Sequence, residues 1–344
     1  MDRSFLADHR AQYHAALHQR CLPYWLTHGC DDERGGFFAP LYADGHRNQK
    51  SGWNQGRGLW VFSRYYRLHG GDARYLAAAT RARDFFLRHG FDERGDGLSL
   101  LAADGCRLAG PSSVYTDIYW IHGLAEHALA SGDSESLDAA GYSLQRVRQR
   151  IVAPEFQHSL AVYTRPHQVL AVWFLLLDAL LDLPPDVESA ALVDLCCERL
   201  LLNHLDISSG LFVELLAPDG TRFADAQGRE VMPGHTAQAC RVLLRLARQR
   251  GDDTLSARAN ALLNSHLHAG WDPEYGGIFY LIDLADGHPV DADKNTWQQI
   301  EFLVALLAAY ENTGASWAAE WYKHLYKWAS EHHADPLTGL WHTS

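Results

Sequence analysis

Two kinds of helical pattern alternate along the chain. One kind is amphipathic, with apolar residues three or four positions apart, as in Leu255, Ala259, Leu262 and Leu263. The other is apolar on nearly every side, as in residues 169–177, and such a helix must be buried on every side. The pattern therefore predicts outer helices near 3–28, 72–89, 134–152, 186–204, 252–269 and 316–333, and inner helices near 52–69, 113–131, 165–182, 233–250 and 293–313.

Turn segments separate these helices at a regular interval. In each of them an aspartate is followed by glycine and then by apolar or aromatic residues. The segments recur about every 60 residues and about six times, which indicates a repeat architecture. They begin at Asp32, Asp92, Asp206, Asp272 and Asp335, and a degenerate copy lies near 154–156.

Alternating inner and outer helices predict an all-α fold that closes into an (α/α)6 barrel, with residues 1–344 forming one domain. A two-domain helical array is the structural alternative. The pattern gives eleven helices, and a sixth inner helix is expected after Trp341, whereas the sequence ends at Ser344. We therefore expect either that the numbered chain is part of a longer protein or that the barrel closes differently.

Short β-prone stretches are predicted between the helices. Residues 210–215 and 277–282 are each followed by a turn signal, Asp219-Gly220 and Asp286-Gly287, so both are expected to form small hairpins at one rim of the barrel. Polar clusters open the inner helices at this same end. Since these openings recur in register, we expect one shared functional site there, formed by segments 50–57, 111–117, 165–168, 233–238 and 294–301.

Composition and charge argue against some classes of binding partner. The net charge is −12 and no block of Lys or Arg is present, which argues against a nucleic-acid partner. The longest apolar stretch, 169–177, is shorter than the roughly 20 residues that span a bilayer, so no membrane partner is expected. Six cysteines lack any CxxC spacing, which fits a reducing cytoplasm better than a redox or zinc motif. The sequence leaves open whether the protein is a monomer or a homo-oligomer.

Five motifs, taken in their order along the chain, resemble the N-acylglucosamine 2-epimerase superfamily. That group includes cellobiose 2-epimerases and the mannose and related aldose–ketose isomerases. The resemblance covers nearly the whole chain. The motifs are Trp53-x-Gln55-x-Arg57, Tyr115 with Gly123-Leu124-Ala125-Glu126, His167, Pro233-Gly234-His235 and Lys294-x-x-Trp297-x-Gln299-x-Glu301.

The resemblance implies a sugar 2-epimerase or aldose–ketose isomerase that needs no cofactor and no metal. Such chemistry removes a proton from carbon 2 of an open-chain sugar, and imidazole is the side chain suited to that task near neutral pH. His235 is therefore expected to act as catalytic acid or base, with His167 and Arg57 as further catalytic groups. Side chains expected to contact the sugar are Trp53, Tyr115, Asp117, Gln238, Trp297 and Glu301.

The chain departs from the family pattern at three places. Gln238 and Leu170 stand where the family usually has glutamate, three residues after each histidine. Gln238 is expected to orient the His235 imidazole without the charge of a glutamate. The family's second catalytic histidine opens the last inner helix, and no residue here matches it, the nearest candidate being His332.

These departures keep two other functions open. A glycoside hydrolase on the same barrel needs two facing carboxylates, for which Asp117 and Glu301 are the candidate pair. A sugar-binding protein that has lost catalysis is the third possibility. Individual residues also have purely structural interpretations: Arg57 in a salt bridge with Glu301 or Asp117, and the three aromatic side chains in core packing.

Overall fold

The computed structural model describes residues 3–39, 47–153, 165–185, 187–335 and Trp341. The chain divides into two compact units. One consists of Met1–His9, His167–Leu177 and Ala190–Ser344, and the other of Arg10–Pro166 and Asp178–Ser189. The organisation of 1–344 as a single domain stays a prediction. The degenerate turn near 154–156 and most of the turn that begins at Asp335 lie outside the described residues.

Helices dominate both units, so the predicted all-α class is confirmed. The α-helices are α1 (Arg3–Ala16), α2 (Leu22–His28), α3 (Gly52–Leu68), α4 (Ala73–His89), α5 (Tyr115–Ser131), α6 (Ser134–Ile151), α7 (Leu170–Leu180), α8 (Val187–Glu198), α9 (Pro233–Arg250), α10 (Asp253–Gly270), α11 (Thr296–Thr313) and α12 (Ser316–His333). Residues Leu17–Cys21 and Arg199–His204 are π-helical continuations. No helix within the described ranges has the length and apolar character needed to cross a membrane.

The strands are short and pair antiparallel. They are β1 (Gln49–Ser51), β2 (Leu100–Ala102), β3 (Arg107–Ala109), β4 (Gln168–Val169), β5 (Leu205–Asp206), β6 (Leu211–Phe212), β7 (Leu215–Leu216), β8 (Glu230–Val231), β9 (Leu281–Asp283) and β10 (Pro289–Asp291). Their pairing gives sheets β1-β2-β3 and β10-β9-β8 and the pairs β4-β7 and β5-β6.

Inner helices pass to outer helices through very short connections. Helices α5 and α9 end at glycines in the left-handed conformation, Gly132 and Gly251. The next residue in each case, Asp133 or Asp252, accepts a hydrogen bond from a backbone N–H in the first turn of the following helix. Glycine tolerates a positive φ and aspartate is a favoured N-cap, so the Gly-Asp dipeptide ends one helix and starts the next.

The third inner helix is shorter than its apolar pattern predicts. It was expected over 165–182, but the helix runs from Leu170 to Leu180, because residues 168–169 pair as β4 with β7. Pro166 also disfavours a helical conformation at the residue before it. His167 therefore lies ahead of a strand and not within the first turn of a helix.

Only one of the two predicted hairpins forms as expected. Strands β9 and β10 pair across the turn that contains Gly287, where the Gly287 N–H donates to the Asp283 carbonyl at 2.8 Å. Residues 210–215 instead divide between two partners, because β6 pairs with β5 and β7 pairs with β4. This division leaves Glu214 between two short strands.

A lysine, a glutamine and an aspartate fix the turn ahead of α11. The Lys294 Nζ donates to Asp272 Oδ2 at 2.9 Å, and Asp272 Oδ1 accepts from two N–H groups of its own turn. The Gln299 side chain accepts from the Ile278 N–H and donates to the Ile278 carbonyl, both at 3.0 Å. The turn is thereby tied to the first two turns of the helix that carries Trp297.

The same arrangement recurs ahead of α3 in the other unit. The Lys50 Nζ donates to Asp31 Oδ2 at 2.8 Å, and Gln55 makes the paired hydrogen bonds with the Phe37 backbone at 2.7 and 2.8 Å. The turn aspartate is thus Asp31 and not Asp32 as expected, since Asp31 accepts the N–H groups of the turn. The shared pattern Lys-x-x-Trp-x-Gln therefore serves the fold at both places.

Candidate active site

His235 and Glu214 form a hydrogen-bonded pair at the start of α9. The Nδ1 atom of His235 lies 2.9 Å from Oε1 of Glu214. The glutamate is buried, whereas the histidine side chain keeps 20% of its surface exposed. A carboxylate accepts hydrogen bonds, so this contact places a proton on Nδ1 and leaves the Nε2 lone pair on the other side of the ring.

The backbone of Glu214 is held from two sides. Its N–H donates to the Glu230 carbonyl at 2.7 Å, and its carbonyl accepts from the Leu170 N–H at 2.9 Å. The first contact reaches β8 and the second reaches the start of α7. The carboxylate that faces His235 is therefore positioned by ordered backbone on both flanks, as a group that must orient a ring requires.

The second carboxylate oxygen of Glu214 is also buried. No donor among the described residues reaches Oε2 within hydrogen-bonding distance. A buried acceptor without a partner costs free energy, roughly 1–3 kcal/mol. The Glu214 carboxylate is therefore buried beside a partly exposed imidazole, and only its Oε1 has a described partner.

Aromatic rings surround the imidazole. The centroid of the Phe174 ring lies 5.7 Å from that of His235, and the Trp297 centroid lies 5.5 Å away. The Tyr280 ring meets the Trp297 ring edge-on, with 6.4 Å between the ring centroids. Burial and the negative charge of Glu214 raise the pKa of Tyr280, so its hydroxyl stays protonated near neutral pH. These rings form an apolar wall with the hydroxyl of Tyr280 as its polar atom.

Gly234 makes the approach of Trp297 to α9 possible. A Cβ atom at position 234 would stand 2.7 Å from the Trp297 ring and 2.5 Å from Gln298 Cγ. Contacts under 3.0 Å force a neighbour to move. The Pro-Gly-His sequence therefore combines a helix start at Pro233, a close contact at Gly234 and the functional group at His235.

Substitution of Gly234 by alanine is expected to lower kcat/KM by about 10- to 100-fold, because a shift of about 1 Å in a positioning group can cost that much. Gly141, in the outer helix α6, has open space around the same point, so Gly141→Ala is the matched control. Initial rates of sugar interconversion over a range of concentrations measure both variants. Equal rates for the two variants would show that the packing of Trp297 does not matter to the site.

Gln238 does not orient His235 as expected. Its Nε2 donates to Glu301 Oε1 at 2.7 Å, so two side chains predicted as separate sugar contacts are paired with each other. The orienting role belongs to Glu214, a residue that none of the sequence motifs includes. Its signal in the sequence was a single acid within the apolar run Leu211-Phe212-Val213-Glu214-Leu215-Leu216.

His167 is buried almost completely. It lies next to β4, in the same unit as His235. The structure thus places one predicted histidine at a partly exposed position and the other in the interior. The ligand contact expected for His167 stays a prediction.

Three predicted site residues of the unit that contains Arg10–Pro166 lie near Tyr119. The Trp53 ring meets the Tyr115 ring edge-on at 5.2 Å and lies 6.1 Å from that of Tyr119. The Arg57 guanidinium lies 5.5 Å from the centroid of the same tyrosine ring. Tyr119 was missed, although it follows Tyr115 by one helical turn. Arg57 is exposed, so its charge stays hydrated without a buried carboxylate partner.

Asp117 contributes to the fold and not to an open site. Its Oδ1 accepts from the Gly97 N–H at 2.9 Å and its Oδ2 from Arg150 Nη1 at 2.8 Å. The residue is fully buried and fixes the turn that precedes α5. The expected sugar contact of Asp117 stays a prediction, although both of its carboxylate oxygens already have partners in this structure.

Burial raises the pKa of Asp117 to about 6, although Arg150 and the Gly97 N–H act in the opposite direction. A raised folded-state pKa means that the native state binds the proton more tightly. Stability from this group is thus present below pH 3.8 and is lost as pH rises through about 6. Because of this group, the free energy of unfolding of the wild-type protein is expected to fall by on the order of 3 kcal/mol between pH 4 and 7. The Asp117→Asn variant is expected to lack this fall. Urea unfolding of both proteins at each pH measures it, and a pH-independent difference between them would contradict the assignment.

Comparisons with known proteins indicate the same family as the sequence motifs. A family model described as N-acylglucosamine 2-epimerase (GlcNAc 2-epimerase) matches residues 36–344. The N-acylglucosamine 2-epimerase of Bos taurus is 29% identical, with 94% of this chain and 80% of the relative covered.

Solved structures show the same fold at lower identity. A crystal structure of D-mannose isomerase has a TM-score of 0.81 and 19% identity, covering 99% of this chain and 90% of that one. Cellobiose 2-epimerase from Bacillus thermoamylovorans B4167 has a TM-score of 0.83 and 17% identity, covering 97% and 90%. The predicted (α/α)6-barrel class is thereby confirmed. The chain belongs to the N-acylglucosamine 2-epimerase family.

Proposed function

We propose that the protein is a sugar 2-epimerase or aldose–ketose isomerase that acts on a reducing sugar, with His235 as its acid–base group. The observation that carries this proposal is the 2.9 Å contact between His235 Nδ1 and Glu214 Oε1 at the start of α9. Membership of the family and similarity to epimerases and a mannose isomerase support the same reaction class.

The chemistry assigned to His235 is a proton transfer at carbon 2. In the open-chain sugar, Nε2 takes the proton from carbon 2, and the electron pair of the C–H bond forms the C1–C2 double bond while the carbonyl π pair moves to the oxygen. The product of this step is an enediolate. Delivery of a solvent-derived proton to the opposite face of carbon 2, with the oxygen lone pair re-forming the carbonyl and the imidazolium releasing its own proton to solvent, gives the epimer. Transfer to carbon 1, with a proton moving from O2 to O1, gives the ketose.

Glu214 supports this transfer in two ways. Its Oε1 fixes the ring so that Nε2 carries the lone pair. Its negative charge also stabilises the imidazolium that forms when Nε2 takes the proton. Trp297 and Phe174 provide the apolar surface on which a sugar face can pack. The catalytic roles predicted for His167 and Arg57 stay predictions.

The hydrolase alternative is less well supported by the carboxylates. It needs an acid and a second carboxylate across the scissile bond. Asp117, one member of the candidate pair, is buried and engaged by Gly97 and Arg150. Glu301, the other member, accepts from Gln238. The His235–Glu214 pair therefore supports proton transfer better than the two engaged carboxylates support hydrolysis.

A panel of reducing sugars tests the reaction class. The protein is incubated separately with mannose, glucose, fructose, N-acetylmannosamine and a set of oligosaccharides, and products are separated by chromatography. Interconversion of any epimer or aldose–ketose pair supports the proposal. Release of sugar from oligosaccharides without interconversion supports the hydrolase, and saturable binding without any product supports the sugar-binding alternative.

We further propose a cytoplasmic location. All six cysteines are free thiols, at positions 21, 30, 106, 196, 197 and 240. Burial raises the pKa of Cys30 to about 12 and raises that of Cys196 and Cys240 further, so these thiols stay protonated and unreactive. Such a set is typical of proteins kept in a reducing compartment.

A further inference from the structure

Three histidines from two separate segments meet at one point of the unit that contains Arg10–Pro166. His14 lies near the end of α1, His18 lies in the π-helical turn that follows it, and His69 caps the C-terminus of α3. One ring nitrogen from each of the three lies within 4.8 Å of the other two. Neither the motifs of the family resemblance nor the site around His235 includes any of these residues.

The orientation of His18 supports a ligand at the centre of the group. Its Nδ1 lies 2.8 Å from the Tyr65 hydroxyl, which fixes the ring. Its Nε2 is buried, and no hydrogen-bond partner for it exists among the described residues. A histidine that binds a metal through one nitrogen usually bonds a fixed partner through the other, which is the arrangement that Tyr65 provides.

Tyr65 is itself held in place. Its ring stacks on that of His69 at 5.3 Å and meets the Tyr75 ring edge-on at 4.6 Å. His14 stacks on His18 at 3.7 Å between ring centroids, and His69 meets His18 edge-on at 4.7 Å. The ring of His18 therefore contacts both other imidazoles, whose centroids lie 6.3 Å apart.

Small rotations complete the geometry of a metal site. Nitrogens bound to zinc lie about 2.0–2.1 Å from the ion in a tetrahedral arrangement. His14 and His69 are exposed, so their rings can rotate inward from the present spacing, while His18 stays fixed. The group contains imidazole nitrogens and no carboxylate, which favours zinc and its transition-metal neighbours over magnesium or calcium.

We propose that His14, His18 and His69 form a binding site for Zn²⁺, with a water molecule as the fourth ligand. The ion would join the end of α1 to the end of α3, two segments that already meet here through ring contacts and the Tyr65 hydroxyl. Its role is to stabilise this junction, because binding to the native state alone raises stability by mass action.

Zinc titration of the metal-free protein tests the site. The protein is treated with a chelator, exchanged into chelator-free buffer near pH 7.5 and titrated with ZnCl2 by calorimetry. We expect saturable binding at one site per chain, a rise in Tm with added zinc and visible d–d absorption when Co²⁺ replaces zinc. The variants His14→Ala and His69→Ala, which alter exposed side chains, are expected to weaken Zn²⁺ binding by about tenfold or more.

Two further variants make the result specific. Tyr65→Phe removes the hydroxyl beside His18 and is expected to weaken binding by about 10-fold while all three ligands remain. His288→Ala removes an exposed histidine on the β9–β10 turn and is expected to leave the affinity unchanged. Equal zinc affinity in the wild-type, His14→Ala and His69→Ala proteins, or no saturable binding by the wild-type protein, overturns the proposal.

Discussion

Replacing His235 by asparagine is expected to lower kcat for sugar interconversion by about 10²–10⁴-fold, the usual contribution of a general acid or base. Asparagine can still donate a hydrogen bond to Glu214, yet its amide cannot take a proton from carbon 2. The loss should therefore appear in kcat, while KM changes little if the aromatic wall continues to bind the sugar. Initial rates over a range of concentrations separate the two parameters.

Two companion variants sharpen this result. Glu214→Gln keeps an oxygen that can accept from Nδ1 but removes the negative charge, and its amide can also favour the wrong tautomer. We expect it to lose about 10²-fold or more in kcat. His268→Asn alters an exposed histidine whose Nδ1 donates to the Asn264 carbonyl, and it should keep wild-type rates. Retention of more than a tenth of wild-type kcat by His235→Asn would contradict the role assigned to this histidine.

Replacing Lys50 by methionine is expected to lower the free energy of unfolding by about 3–5 kcal/mol, the cost of breaking a buried ion pair by removing one partner. The Lys50 side chain is completely buried and donates to Asp31 and to the carbonyls of Gly35 and Ala103. Methionine has a volume similar to that of lysine, so the substitution leaves no large cavity. The decrease in the free energy of unfolding therefore comes from the carboxylate and carbonyl groups that lose their donor.

Lys294 provides the matched comparison. It makes the equivalent contact with Asp272, but 18% of its side chain is exposed and water can reach the remaining groups after substitution. Lys294→Met is therefore expected to lose clearly less stability than Lys50→Met. Urea unfolding followed by circular dichroism gives both values. A loss below 1 kcal/mol for Lys50→Met, or a larger loss for Lys294→Met, would show that burial does not control the strength of this contact.

The sequence predicts the helices well because their signals are local. Apolar periodicity defines each inner and outer helix, and Gly-Asp pairs such as Gly132-Asp133 mark where one ends and the next begins. The prediction is wrong at the start of α7, where apolar character extends through residues that pair as a strand. A short apolar run has no periodicity that distinguishes a buried strand from a buried helix.

Polar contacts in the interior could not be predicted in the same way, because they join residues that are distant in the chain. Glu214 and His235 are 21 residues apart, and nothing in the spacing selects that pair over Gln238. Asp117 was assigned to sugar binding because it lies in a polar helix opening. The structure shows that the same position holds a turn through Gly97 and Arg150.

The two Lys-x-x-Trp-x-Gln segments show a related limit. Their recurrence was visible in the sequence, and polar groups at buried helix starts suggested a site. In the structure the lysine and glutamine of each segment fix a turn, and the tryptophans at positions 53 and 297 face other aromatic rings. In a repeat fold, each residue of a recurring polar motif therefore has to be assigned separately, either to stabilising the fold or to binding and catalysis.

Deuterium exchange at carbon 2 tests proton transfer by His235 most directly. The protein is incubated in D2O with a sugar that it interconverts in the panel assay, and the sugars are examined by NMR and mass spectrometry. Because the imidazole is partly exposed, the proton it removes can exchange with solvent. We predict deuterium at carbon 2 of the aldoses or carbon 1 of the ketose with the wild-type protein, and none with His235→Asn. Interconversion without deuterium uptake, or equal uptake with the variant, would contradict the account.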